Sequence, residues 1–187
     1  MIGGALRAVP VVLALAGGVG GDGLPAETMG SAPRHPQWLE VQWPFPIDQW
    51  GTGRAFRCQA EACGAAVTLY LRPKVGFCNC AKGVYDNAEI DRVGDMALLG
   101  PEFSGLGDSQ QIAVGWMQGR SRVFSVSGPY EAPSAAAAIA FNDKCDVVVA
   151  TVTADADLAR GTQQALAFLN SDPVLRWARA ELGSNGS

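Results

Sequence analysis

The spacing of the cysteines restricts this chain's fold more than any other sequence feature. Four of the five cysteines lie between residues 58 and 80, and the fifth, Cys145, is far along the chain. In an oxidising compartment, clustered cysteines form disulfides by default. Cys58 and Cys63 are near enough to bridge around a turn. A second bridge is predicted from Cys145 to Cys80, with Cys78 as the alternative partner or as the unpaired thiol.

Two other uses of the cysteines compete with structural disulfides. Cys58, Cys63, Cys78 and Cys80 could supply four thiolates for Zn(II) or Cu(I), although a C-x-C pair is tight for one zinc ion. The other use is a redox site, in which the charges of Arg72 and Lys74 would lower the thiol pKa of an exposed C-x-C pair beside them. Both alternatives describe a thiol-dependent protein, and structural disulfides are favoured over them.

The N-terminus predicts the compartment. Residues 1–26 contain one arginine, Arg7, then an apolar run from Ala8 to Val19, and a small residue, Ala26, at the expected cleavage position. The run is short for a membrane span and typical of a signal peptide, with a retained anchor as the alternative. We therefore expect a periplasmic or secreted protein with no transmembrane span in the mature chain. The net charge of −4 argues against a nucleic-acid partner.

The remaining chain reads as a Pro- and Trp-rich lead (27–50) followed by one α+β domain (51–187). Alternating and β-branched runs predict about five to seven strands in a mainly antiparallel sheet, and the C-terminal helices should pack on one face. The predicted strands are 54–58, 67–72, 111–117, 122–127, 136–141 and 145–152, with a turn at 118–120. Residues 100–109, rich in glycine, are predicted to be a loop, and helices are predicted to begin near Asp86, Asp157 and Asp172.

The sequence has few residues suited to catalysis. The one histidine, His35, lies in the lead, and there is no P-loop, no H-E-x-x-H motif and no dinucleotide fingerprint. An enzyme is therefore not favoured, and no cofactor is expected. The acidic residues of the 86–95 segment are read as a solvated helix face.

The basic residues of the first strands suggest a binding role. They could form an anion-binding patch, but ordinary surface charge paired with the chain's acids is the favoured interpretation; the four residues are Arg54, Arg57, Arg72 and Lys74. The sequence thus predicts a disulfide-stapled accessory or binding module for an unknown protein or small-molecule ligand.

Overall fold

The computed structural model describes residues 36–128 and 134–183. The proposed signal peptide and His35 lie outside these residues. Within them, seven strands form one antiparallel sheet in the order β1-β2-β3-β7-β6-β5-β4. The strands are β1 (Trp38–Val41), β2 (Arg54–Cys58), β3 (Val67–Lys74), β4 (Glu102–Val114), β5 (Met117–Ser127), β6 (Ala135–Asp143) and β7 (Asp146–Ala154).

The sheet consists of two meanders. Strands β1 to β3 pair in sequence order, and so do β4 to β7; the two sets join where β3 pairs with β7, from Val67↔Ala154 to Lys74↔Val147. Because β7 is central and covered on both faces, its run 147–152 is almost entirely apolar. The predicted α+β architecture is confirmed.

The helices cover the two faces unequally. On the first face, α3 (Leu158–Leu169) and α4 (Asp172–Gly183) pack on the sheet through apolar side chains that recur at helical spacing. On the second face, α2 (Asn87–Val93) packs on β4, β5 and β6, and a short 3₁₀ helix (Met96–Leu98) follows it. Helix α2 also meets the end of β3, where Lys74 donates to the Val93 carbonyl. The second face over β2, the start of β3 and the end of β7 lies outside these contacts.

The interpretation of residues 100–109 as a loop is wrong. Residues 102–109 belong to β4, which is an edge strand paired only with β5, and the predicted turn at 118–120 lies instead at Gly115–Trp116. The pairing shifts between Leu106 and Gln110, and Gly107 adopts φ 68° there. A bulge on an edge strand tolerates glycine, which is why composition was misleading at this point.

The aromatic lead joins the domain. Strand β1 lies within it and pairs with β2, and Trp38 stacks on Phe168 of α3 at 4.9 Å between ring centroids. Trp43 and Phe45 pack edge-on against Tyr70 on the second face. From residue 38 onward, the segment is thus part of the sheet and its cover.

Candidate functional site

The cysteines form two bridges. Cys58 and Cys63 are bonded across a loop that contains α1 (Ala60–Cys63), and Cys80 is bonded to Cys145, 65 residues away. Cys78 is a buried free thiol. The structure therefore does not bring the thiols of the metal alternative together, because three of those four cysteines are already in disulfides.

The environment of Cys78 differs from that expected of a redox thiol. Its side chain is 6% exposed, and burial raises its pKa to about 11, with Glu89 and Asp146 adding to the shift. Arg72 and Lys74, which were expected to lower the thiol pKa, instead form ion pairs with Asp95. The structure thus does not present an exposed, low-pKa thiol at this position.

The four basic residues do not share one surface, because successive side chains of a strand point to opposite faces. Arg54 lies on the helix-covered face, where it donates to both carboxylate oxygens of Glu40 and lies over Trp177. Arg57 faces the opposite side. Arg72 and Lys74 also face that side, but both are buried.

Arg72 and Lys74 belong to a buried charge cluster. Asp95, 6% exposed, accepts two hydrogen bonds from Arg72, at 2.7 and 2.8 Å, and forms an ion pair with Lys74 at 2.7 Å. Arg72 also donates to Asp48, and Lys74 donates to the carbonyl of Val93. Burial lowers the pKa of Lys74, and Asp95 opposes that shift. These contacts link β3 to the segment after α2. Because the charges of two cations and two carboxylates cancel, the cluster has little unpaired charge with which to bind a ligand.

The expectation of a solvated acidic face on residues 86–95 fits the exposed Asp91 but is wrong for Asp95, which is buried. Asp86 caps α2 by accepting from the Glu89 backbone N–H, Glu89 pairs with Arg92, and Asp91 pairs with Arg122. Asp95 is buried as described. Sequence spacing does not predict these partners, because Asp91 pairs with a residue of β5 and Asp95 with residues of β3.

The candidate site is an open groove of about 610 Å³ on the part of the second face that α2 leaves uncovered. Its floor is a cross-strand row in which Arg57 pairs with Thr68 and Thr68 pairs with Thr153. Tyr70 lies two residues along β3, and Leu99 also lines the groove. Hydrogen-bond donors from three adjacent strands thus converge on one concave surface.

Arg57 is the distinctive residue of this groove. Its side chain is exposed, and no residue of the described chain forms a hydrogen bond or an ion pair with it. Among the described lining residues the one acid is Asp155, which accepts a hydrogen bond from the backbone N–H of Ala66. Within the part of the chain that the structure describes, the guanidinium donors on the groove surface are thus not used by another residue.

Tyr70 complements this cation. Burial raises its pKa, although Arg57 opposes the shift, so the phenol remains a neutral donor at physiological pH. Next to it in the row Tyr70↔Thr151, the hydroxyl of Thr151 is buried and has no partner among the described residues. Trp43 and Phe45 hold the tyrosine ring in place.

The sequence contained a signal for this face. Within β3, Val67, Leu69 and Leu71 alternate with polar residues, and that alternation shows that one side of the strand is not apolar core. The prediction singled out Arg57 but did not identify Thr68, Tyr70 or Thr153.

Comparisons with protein-family models, curated proteins and solved structures found no match to this chain. Among the described residues, no helix is both long and apolar enough to span a membrane. Nor do histidine, cysteine and acidic side chains in this part of the chain form a group suited to a metal ion.

Proposed function

We propose that this protein is an exported, disulfide-stapled binding module that holds a small anionic group in the groove around Arg57. The observation that carries the proposal is an exposed arginine that has no hydrogen-bond or ion-pair partner among the described residues and is aligned across the strands with two threonine hydroxyls. Carboxylate, sulfate and phosphate share the chemistry that such a donor set recognises.

The chemistry of the donors supports an anion. Guanidinium binds carboxylate and phosphate oxygens through paired, charge-assisted hydrogen bonds, which are stronger than neutral ones. The hydroxyls of Thr68 and Thr153 can donate to a further oxygen. The groove volume falls within the range usual for small-molecule sites, about 300–1,000 Å³.

Export is supported by the cysteines and by the N-terminal sequence together. Structural disulfides persist in secreted and periplasmic proteins and are rare in the cytosol. Expression of the whole chain in a bacterial host should yield a periplasmic species whose mass lacks about the first 26 residues. A full-length species retained in the membrane would contradict the export part of the proposal.

The anion site is tested by amide NMR of the ¹⁵N-labelled protein, titrated separately with sodium acetate, sulfate and phosphate at constant ionic strength. We expect saturable shifts at Arg57, Thr68 and Thr153, with dissociation constants on the order of millimolar for such small ions.

The matched variants are Arg57→Gln, which should abolish these shifts, and Arg176→Gln, which changes an exposed arginine of α4 outside the groove. The Arg176 variant should bind as the wild type does. If no anion produces saturable shifts at the groove, or if Arg57→Gln binds as well as Arg176→Gln, the proposal is refuted.

A further inference from the structure

Three cysteines meet at the corner where the chain after β3 passes the turn between β6 and β7. Cys80 is bonded to Cys145. The backbone N–H of Cys78 donates to the carbonyl of the same Cys145 at 3.0 Å, and the Cys78 thiol donates to the carbonyl of Lys144 at 3.1 Å. The free thiol is therefore held next to one half of a disulfide.

The backbone geometry qualifies Cys78 as a second partner for Cys145. The single 3.0 Å bond from the Cys78 nitrogen to the Cys145 carbonyl oxygen holds the two Cα atoms no more than about 7 Å apart, given standard backbone dimensions. Disulfides form when the Cα atoms are about 4.4–6.8 Å apart. Either Cys78 or Cys80 can thus reach Cys145 with the chain on this path.

We propose that this corner is a thiol–disulfide exchange site, in which Cys78 displaces Cys80 from Cys145 and leaves Cys80 as a reactive thiol. The Cys78 thiolate attacks the sulfur of Cys145, a bond forms between these two sulfurs, and the Cys80–Cys145 bond breaks. Cys80 departs as a thiolate and takes up the proton that Cys78 lost. One disulfide and one thiol exist before and after the step, so no oxidant or reductant is needed.

The two isomers differ in what they present to solvent. In the structure the free thiol belongs to Cys78, which is buried, whereas Cys80 is exposed. Exchange therefore converts a protected thiol into an accessible one. Its reactants are small-molecule disulfides: the Cys80 thiolate attacks one sulfur of such a compound, forms a mixed disulfide and releases the other half as a thiol.

The charged groups around Cys78 and its burial determine the rate of the exchange, because they set the fraction of thiolate. Burial favours the neutral thiol, Glu89 of α2 and Asp146 of β7 add to this effect, and Arg92 of α2 opposes it. Only the thiolate attacks, so the rate should rise about tenfold per pH unit below the thiol pKa.

The test is alkylation of the folded, non-reduced mature protein with iodoacetamide at pH 9, quenched with acid after increasing times. Cys78 and Cys80 share the tryptic peptide 75–82, so tandem mass spectrometry must place each label and each bridge. We expect alkylated Cys80 to accumulate together with a Cys78–Cys145 disulfide, while the Cys58–Cys63 bridge stays intact. Replacing iodoacetamide with oxidised glutathione should place glutathione on Cys80.

Cys78→Ser is the control, because it removes the nucleophile and should leave Cys80 unlabelled by either reagent. Alkylation of Cys78 with the Cys80–Cys145 bridge intact, or equal labelling of Cys80 in Cys78→Ser, would overturn the proposal. Scrambling of Cys58 and Cys63 at the same rate would also overturn it, because it would show that global unfolding carries the exchange.

Discussion

Replacing Asp95 with asparagine tests whether the buried charge cluster stabilises the sheet. The substitution preserves the size of the side chain but removes the charge that two buried cations share. Arg72 would retain Asp48, and Lys74 would retain the Val93 carbonyl and its position over the Trp50 and Phe77 rings. Both cations are under 5% exposed, so water cannot replace the lost carboxylate.

The expected loss follows from that burial. Removing one partner from a buried ion pair typically costs about 3–5 kcal/mol, because the remaining charge is left uncompensated. A domain of this kind has about 5–15 kcal/mol of stability, so the variant should fold but unfold at a clearly lower denaturant concentration.

Glu40→Gln supplies a matched control, since it makes the same acid-to-amide change in a pair that is also bonded twice to an arginine. The Glu40 side chain is 52% exposed, and exposed pairs contribute about 0–1 kcal/mol. Lys74→Met added to Asp95→Asn should recover part of the loss, because it removes one of the two stranded cations.

The measurement is urea unfolding with the disulfides intact, followed by tryptophan fluorescence at neutral pH. If Asp95→Asn destabilises the protein by no more than Glu40→Gln does, the cluster is not stabilising and this reasoning fails.

Three further predictions concern the corner cysteines and the close contact between β5 and β6. Cys145→Ala should lower the free energy of unfolding by about 2–5 kcal/mol. Cys80→Ala in air-oxidised protein should lower it less, because Cys78 can then bridge to Cys145. An equal loss for the two variants in urea unfolding would contradict this. Folding raises the pKa of Cys78 from 9.0 to about 11. The stability that the neutral thiol contributes is therefore present below pH 9 and lost as the pH approaches 11. In urea unfolding across that range, the free energy of unfolding should fall with pH in the wild type and not in Cys78→Ala. Gly119→Ala should destabilise by about 1–3 kcal/mol or more, since the added Cβ would lie 1.9 Å from the Ala140 carbonyl oxygen; an unchanged thermal midpoint would show that the two strands can separate at no cost.

The parts of the fold that follow from local pattern were predictable. The apolar run of β7 and the stripes of α3 and α4 gave the sheet and its helical cover, because burial imposes a period on the sequence. Asp157 and Asp172 marked helix starts, and the Asp157 carboxylate caps α3 by accepting from the Arg160 N–H.

The parts that depend on distant partners were not predictable. Pro73 suggested the end of β3, but the strand continues to Lys74. The pairing with β2 has already ended at Leu71, so the missing N–H of the proline leaves no hydrogen bond to β2 unmade. Asp95 looked like a surface acid until the fold placed it against Arg72. The groove likewise depends on the alignment of β2, β3 and β7, which no local window of sequence contains.

The junction of the two meanders also affects how the chain is made. A ribosome releases β3 about 80 residues before β7, which at 5–20 residues per second is roughly 4–16 seconds. Throughout that interval β3 lacks its second neighbour, and its apolar side is without the helices that later cover it. Thr68, Tyr70 and Arg72, at alternate positions of β3, make the opposite side of the strand polar while β7 is not yet present. Substitutions that make that side apolar should therefore reduce the yield of correctly assembled protein even where the finished domain tolerates them.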